Sequence, residues 1–117
     1  MMSLDESKTV LLEVFDAAVR ASGGEWDLKT DRVPSTCEDG EMYSLDGKGP
    51  AADDPRATAD AVAAAWRELG YEVSMRDAQF GVVEVRYERD ASGLYFAFGA
   101  NDRVTDLDGT SPCVPVE

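Results

Sequence analysis

Two stretches of the chain repeat hydrophobic residues at the three- and four-residue spacing of an amphipathic helix. The first follows Ser3, which starts a Ser-Leu-Asp-Glu capping box, and ends at a pair of glycines. The second follows Asp54, an N-cap residue before a first-turn proline, and ends at Gly70. The pattern predicts helices over about residues 4–22 and 55–69, each with one apolar stripe facing a core.

Shorter stretches alternate apolar and polar residues, which is the period of a strand with one buried face. This alternation begins at Trp26 and recurs more weakly over Glu41–Leu45. Asp46–Pro50 is typical of a turn that ends this second strand. Beyond Gly99 the chain is polar, and we expect irregular structure there until Cys113. Three further strands with short, turn-prone connections are expected near residues 71–76, 83–88 and 94–99.

The predicted elements follow the order α-β-β-α-β-β-β, which indicates an α+β fold. Strands joined by hairpins favour a two-layer sandwich, with two helices packed on one face of an antiparallel sheet. A doubly wound α/β fold is the alternative, but the last three strands lack the crossover helices that it needs. Trp26 and Trp66 lie on the apolar stripes and are expected in the core. A length of 117 residues fits one domain, residues 1–117.

Charge and composition exclude several classes of function. The chain has 24 acidic and 11 basic residues, a net charge of −13, and no histidine. Without histidine, catalytic Ser-His and Cys-His pairs and histidine-ligated metals are excluded. The charge argues against binding to nucleic acid or to an anionic membrane, which needs clustered Lys and Arg. No apolar run is long enough to cross a bilayer. We therefore expect no catalytic residues, no cofactor and no bound metal.

The two cysteines, Cys37 and Cys113, lie in turn-rich segments. Neither belongs to a C-x-x-C motif, and there is no histidine or third cysteine to complete a zinc site. The even count predicts a disulfide that ties a C-terminal tail, about residues 100–117, back onto the first half of the chain. Two free thiols in a cytosolic protein are the alternative. A disulfide implies an oxidising compartment, so we expect an extracytoplasmic protein that is secreted or anchored at the cell surface.

Two groups of carboxylates have the composition of a chemical site. The Asp106-Leu107-Asp108-Gly109 segment resembles part of a calcium loop, but it lacks the closing bidentate glutamate, and an Asx-turn tail explains it equally well. Glu84 and Glu88 share one face of a predicted strand, and paired carboxylates carry out glycoside chemistry in an enclosed cleft. Arg86 lies between them, which favours charge pairing on a solvated sheet. We favour the structural interpretation of both groups.

The segment from Glu38 to Asp54 is a candidate partner surface. It has six acids against the single Lys48, which would attract a basic partner protein. A solvated loop that leads into a helix N-terminus, where acids are favoured, is the alternative. Tyr95 lies opposite the apolar face of its strand and is expected to be exposed beside Tyr43. The candidate partner-binding residues are therefore Glu38, Asp39, Glu41, Asp46, Asp53, Asp54, Tyr43 and Tyr95.

Four segments carry a family resemblance: Gly24–Trp26, Gly49–Pro55, Ala64–Val73 and Gly109–Pro115. In composition and order they resemble small exported lipoproteins of high-GC Gram-positive (actinobacterial) bacteria, a family of unknown function. Members typically carry an N-terminal lipobox cysteine, which this chain lacks. The resemblance then implies a mature domain whose lipid anchor was lost with a trimmed N-terminus. It supports compartment and fold, and it carries over no activity.

These observations lead to two main hypotheses of function. The first is a non-enzymatic, extracytoplasmic binding or accessory domain of the cell envelope, whose sheet face or loop ends bind a protein or small-molecule ligand of unknown identity. The alternative is an acidic inhibitor or immunity-type protein that binds a basic partner protein through the Glu38–Asp54 segment. An enzyme that works through carboxylates alone is the third and least favoured hypothesis.

Overall fold

The computed structural model describes residues 2–30 and 33–115, and both predicted helices are present. Helix α1 spans Leu4–Ser22 and helix α2 spans Pro55–Glu68. Each begins with its predicted cap, because the Ser3 hydroxyl and the Asp54 carboxylate accept hydrogen bonds from backbone N–H groups three residues later, both at 3.1 Å. No helix in the described part of the chain is long and apolar enough to cross a membrane.

The strands form two antiparallel sheets. The larger sheet has six strands in the spatial order β1-β4-β8-β7-β6-β5. Its strands are β1 (Asp27–Thr30), β4 (Ser44–Gly49), β5 (Ser74–Asp77), β6 (Val83–Tyr87), β7 (Tyr95–Ala100) and β8 (Thr105–Thr110). The smaller sheet has the order β2-β3-β9, with β2 (Ser35–Cys37), β3 (Gly40–Met42) and β9 (Val114–Pro115). The predicted three-stranded meander is present as β5, β6 and β7.

The two helices pack on each other and on one face of the six-stranded sheet, so the predicted α+β fold is confirmed. Trp66 of α2 is fully buried and contacts both helix α1 and the large sheet. Its indole N–H donates to the Val14 carbonyl of α1 at 2.9 Å, and its ring packs edge-on against Phe96 of β7, with the centroids 4.6 Å apart. Trp26 is only half-buried and packs at the rim of this core, 6.2 Å from the Phe98 ring.

The prediction of irregular structure beyond Gly99 is wrong. Strand β8 lies in this part of the chain, near the middle of the large sheet and paired with both β4 and β7. Its residues alternate as a strand requires, but Leu107 is its only large apolar side chain. Gly109 also faces the core, where a Cβ atom would crowd Leu11 of α1 and Phe96, each at 3.1 Å. Position 109 is therefore a glycine because the core leaves no room there for a side chain.

The prediction that Asp46–Pro50 is a turn is also wrong, because Asp46–Gly49 forms most of strand β4. Gly47 lies under Leu28 and Gly49 lies under Trp26, and a Cβ atom at either glycine would clash with that side chain. These glycines thus allow close packing, although in the sequence they suggested a turn. Leu28 belongs to strand β1 and Trp26 lies just before it; β1 is an exposed edge strand and not the half-buried strand that was expected.

The predicted disulfide is present and joins Cys37, at the end of β2, to Cys113, just before β9, with the Cα atoms 6.0 Å apart. It is not the sole anchor of the C-terminal segment. Ser111 hydrogen-bonds to the backbone of Tyr43 in both directions at 2.8 Å, and the Cys113 N–H donates to the Ser92 carbonyl at 2.7 Å. The buried Ser7 of α1 also donates to the Pro112 carbonyl. The expected loose tail is therefore an integrated part of the fold.

We expect the double variant Cys37→Ser/Cys113→Ser to fold but to lose stability. Opening a cross-link between residues 76 positions apart should cost about 4 kcal/mol of unfolding free energy in the chain-entropy model. The strand pairs and hydrogen bonds of the C-terminal segment should keep the native fold. Urea unfolding of the variant, with the wild type in reducing and non-reducing buffer as controls, measures the difference. A loss below about 1 kcal/mol would contradict this expectation, because a native disulfide usually contributes more.

Candidate functional site

The helices cover only one face of the six-stranded sheet, and the other face carries most of its charged groups. Side chains of alternate strand residues, such as Phe98 and Leu107, are buried toward the helices, and their neighbours point to the opposite side. We call that opposite side the open face. Its residues from β1 to β5 include Asp27, Lys29, Ser44, Asp46, Lys48, Asp106, Asp108, Thr110, Tyr95, Ala97, Glu84, Arg86, Ser74 and Arg76.

Tyr95 of β7 is the centre of the best-ordered cluster on the open face. Its ring lies beside two guanidinium groups, with the Cζ atoms of Arg86 and Arg89 at 5.7 and 5.6 Å from the ring centroid. Burial raises the pKa of the Tyr95 hydroxyl, and the negative charge of the nearby Asp108 carboxylate raises it further. Arg89 is itself held in place, because one of its nitrogens donates to the Gly93 carbonyl at 3.0 Å and to the Thr110 hydroxyl at 3.1 Å.

Two carboxylates lie on β8 next to this cluster, Asp106 half-buried and Asp108 exposed. Burial raises the pKa of Asp106, although the Lys48 ammonium, 3.8 Å away, acts in the opposite direction. Burial also raises the pKa of Asp108, and the negative charge of Asp106 raises it further. Asp46 is the position directly opposite Asp108 on β4, so two acids face each other across this strand pair. Part of the open face therefore has negative charge that is poorly compensated.

On the other side of β7, Glu84 of β6 forms ion pairs with two arginines, Arg76 and Arg86. It accepts a hydrogen bond from Arg76 Nε at 3.0 Å, the cross-strand pair expected from the sequence. Arg86 Nε also lies 3.0 Å from the same carboxylate oxygen, but the angle makes this an ion pair without a hydrogen bond. Glu88 lies beyond the end of β6 and is exposed. Glu84 and Glu88 therefore do not form an enclosed carboxylate pair.

A shallow cavity of about 460 Å³ opens beside Tyr95. It presents a cation, two carboxylates and three hydroxyls to one small volume, and one of these hydroxyls is on an aromatic ring. This combination suits reversible binding of a polar ligand by hydrogen bonds and charge. The residues that line it are Ser44, Leu45, Asp46, Arg89, Tyr95, Asp108, Gly109 and Thr110.

The calcium-loop alternative does not fit the observed structure. Asp106 and Asp108 are two positions of a strand and are separated by Leu107, which is buried in the core on the other side of the sheet. A calcium loop would need a backbone that folds around the ion. Across residues 2–30 and 33–115, no group of three or more Asp, Glu, His or Cys residues is arranged to hold a metal ion.

The acidic residues selected from the sequence do not form one surface. Glu38 and Asp39 form the turn between β2 and β3, Glu41 lies in β3, and Asp46 lies on the open face. Asp53 and Asp54 precede α2, beyond the far end of β4, a strand whose six residues span about 20 Å. Of the six acids, only Asp46 lines the cavity beside Tyr95.

The two candidate tyrosines contact different groups. Tyr43, between β3 and β4, lies against α1, with the Lys8 ammonium 4.8 Å from its ring centroid. Tyr95 is on the open face, as the alternation of its strand predicted. The sequence interpretation missed Arg89, Asp108 and Thr110 as its neighbours. The alternating Thr-Asp-Leu-Asp-Gly-Thr of β8 was the signal for two of them, because it places both acids and the last threonine on one face.

The fold resembles that of a protein of known structure. The chain superposes on the crystal structure of a DUF4853 family protein from Actinomyces odontolyticus with a TM-score of 0.68 and 14% sequence identity, covering all of this chain and 71% of that one. At this identity the likeness shows the fold. That protein comes from an actinobacterium, the group that the sequence resemblance implied. No protein-family model matches the chain, and neither does any curated protein.

We expect Asp108→Asn to stabilise the fold at neutral pH. The folded protein holds a proton on Asp108 more readily than the unfolded chain does, because the folded-state pKa is raised. Protonation of Asp108 therefore contributes to the folding stability of the wild type at low pH. This stability is lost as the pH rises from about 3.9, the ordinary aspartate pKa, through the higher folded-state pKa. Asparagine does not titrate, so the stability of the variant relative to the wild type should increase over that window.

Urea unfolding at a series of pH values measures this difference. Removing any acid from a protein of net charge −13 relieves some general repulsion. Asp60→Asn, on the exposed side of α2, is the matched control for that effect. If the unfolding free energies of Asp108→Asn and Asp60→Asn changed with pH in the same way, the surroundings of Asp108 would not be the cause of the stabilisation, and the prediction would be wrong.

Proposed function

We propose that this chain is an extracytoplasmic binding domain of the cell envelope that acts without catalysis. Its ligand would bind on the open face, in the cavity beside Tyr95. The observation that carries this proposal is the Tyr95 cluster itself. One face of a six-stranded sheet is uncovered by the helices, and it holds an aromatic ring, a fixed arginine and a carboxylate of raised pKa around one cavity.

The cluster is organised before any ligand binds, which favours recognition. Tyr95 is held by Arg86, Arg89 and Asp108, and Arg89 is held by two oxygen acceptors. Ordered side chains lose little further freedom on binding, so more of the interaction energy contributes to affinity. The raised pKa of Asp108 also marks an electrostatic cost of its charged form that a cationic group of a ligand would reduce.

A non-enzymatic role is supported by the kinds of groups present. The chain has no histidine, and the carboxylates of the open face lie beside Arg86, Arg76 and Lys48. Carboxylate-only catalysis depends on an acid and a base at a fixed separation within a cleft that holds the substrate. The cavity beside Tyr95 is shallow and offers charge of both signs, which is the composition of a binding surface.

An extracytoplasmic location is supported by the disulfide. Cys37 and Cys113 are bonded to each other, and such bonds persist in oxidising compartments. The resemblance to exported actinobacterial lipoproteins points to the same compartment. The alternative function, an acidic inhibitor of a basic partner, depended on one continuous strip from Glu38 to Asp54. Because these acids lie at separate places in the fold, the strip gives that alternative less support than the sequence suggested.

Binding at the open face can be tested by NMR titration of the ¹⁵N-labelled protein. Four probes cover the charge classes: diglycine, succinate, 1,4-diaminobutane and glucose. We expect the zwitterion diglycine to give the largest amide shifts, because Arg89 and Asp108 present opposite charges to one cavity. The shifts should be confined to β4, β7 and β8 near Tyr95.

Tyr95→Ala should weaken the response to diglycine about tenfold, since it removes the group that orders both arginine and carboxylate. Tyr43→Ala is the matched control, because it removes another tyrosine that packs beside a cation but lies off the open face. The binding proposal would be wrong if none of the four probes shifted open-face amides at millimolar concentration, or if both variants behaved alike.

The location is tested in the native host. Thiols are alkylated in intact cells before lysis, and the chain is then recovered from the envelope and cytoplasmic fractions for mass analysis. We expect Cys37 and Cys113 to be unmodified and the protein to appear in the envelope or medium. Recovery of an alkylated chain in the cytoplasmic fraction would contradict the extracytoplasmic location.

A further inference from the structure

The hairpin between β5 and β6 ends in a turn whose backbone does not suit its sequence. Phe80 has φ 61° and ψ 33°, and Gly81 follows with φ 70°. The Val82 N–H donates to the Gln79 carbonyl at 3.3 Å, which completes a type I′ turn. Both central positions of this turn need positive φ, so Asn-Gly and Gly-Gly are the usual pairs there. Phe80 is the one non-glycine residue with positive φ in the described part of the chain.

The ring of Phe80 is not buried by the fold and so contributes no apolar burial to its stability. It is 89% exposed, more than the next large hydrophobic residue, Val33, at 72%. Isolated exposed apolar residues are normal and need no explanation. Phe80 differs from Val33 because a bulky residue in the left-handed region also carries a conformational penalty. Neither backbone preference nor burial therefore accounts for a phenylalanine at this position.

The tip is fixed to the body of the protein and has acidic surroundings. The Asn101 side chain donates to the Phe80 carbonyl at 3.3 Å, and the Asn101 carbonyl accepts from the Ala52 N–H at 3.1 Å. The tip thus lies beside the segment that leads into α2. Four acids, Asp53, Asp54, Asp77 and Asp102, belong to these neighbouring segments, against Arg56 and Arg103. Arg56 and Asp77 pair with each other, which leaves three acids against Arg103.

We propose that Phe80 is the aromatic anchor of a protein-docking site, and that the partner protein offers an apolar pocket bordered by lysine or arginine. Burial in such a pocket would recover the apolar surface that the fold leaves in water. A basic border would complement the acids around the tip. An anionic membrane and a second copy of this chain, whose own net charge is −13, are both disfavoured by the same acids.

This docking site is independent of the Tyr95 cavity. Phe80 lies next to the strand ends at Val83 and Ala100, and Tyr95 lies at the opposite end of β7. Variants at Tyr95 are therefore expected to leave docking through Phe80 unchanged. The binding proposal for the open face and this proposal can fail separately.

The first test is the stability of Phe80→Asn, which replaces a residue that disfavours the turn by one that favours it. If the ring serves a partner and not the fold, the variant should have a Tm higher than the wild type by a few degrees. Val33→Asn is the matched control for removing an exposed apolar side chain elsewhere. A lower Tm for Phe80→Asn would show that the ring stabilises the fold and would overturn the proposal.

The second test identifies the partner in the native host. A photo-reactive phenylalanine analogue is placed at position 80, and at position 33 as the control, and cross-linked peptides are sequenced by mass spectrometry. We expect one protein adduct at position 80, with the linked residue in an apolar pocket flanked by Lys or Arg. Adducts to lipid, adducts to a second copy of this chain, or no excess over position 33 would each overturn the proposal.

Affinity for the purified partner then completes the test. Phe80→Asn should raise the Kd about thirtyfold, which is the size of effect expected for an interface hot spot. Phe80→Tyr should retain most of the affinity. The Kd should also rise with salt, because the acids around the tip face a basic border. Equal affinity of the wild type and Phe80→Asn would overturn the proposal even if the cross-link had formed.

Discussion

The pairing of β8 between β4 and β7 is the constraint on which the rest of the structure depends. Strands β1 and β4 precede helix α2, whereas β5, β6 and β7 follow it, and β8 is hydrogen-bonded to a strand of each group. The same strand separates core from site. Leu107 faces the helices, and its neighbours Asp106 and Asp108 face the open side. A register shift of one residue would put both carboxylates into the core, so the burial of Leu107 also sets the position of the polar cluster.

Close packing of side chains over β4 and β8 explains why these two strands have so few large apolar residues. Trp26 and Leu28 occupy the volume above Gly49 and Gly47, so the bulky side chains come from the edge strand and the residue before it, and the glycines from the inner strand. Gly109 on β8 has the same role beneath Leu11. Three inner positions of β4 and β8 are thus kept small by the side chains that approach them, while the large apolar residues of the sheet come mainly from β7.

This arrangement explains which elements could be predicted. The helices and the β5-β6-β7 meander have local signals, namely caps, apolar stripes and short hairpin connections, and they were predicted with small errors of boundary. Strands β4 and β8 were not predicted. Whether Gly47, Gly49 and Gly109 belong to a turn or to a closely packed strand depends on side chains from other parts of the sequence. Tyr95 was found from the alternation of its own strand. Its partners Asp108 and Thr110 were missed with β8, and Arg89 lies in a loop without a periodic signal.

The open face also shows how stability and binding are connected in this fold. Leu107 cannot be buried without placing Asp106 and Asp108 on the other side of the same strand, where partial burial raises the pKa of both. Lys48 and Arg86 reduce that cost but lie to the sides, and Asp46 adds a further acid opposite Asp108. A ligand with a cationic group beside Asp108 would lower the electrostatic cost of the folded state alone. By linkage, such a ligand would stabilise the whole domain, because the strand it contacts joins both groups of strands.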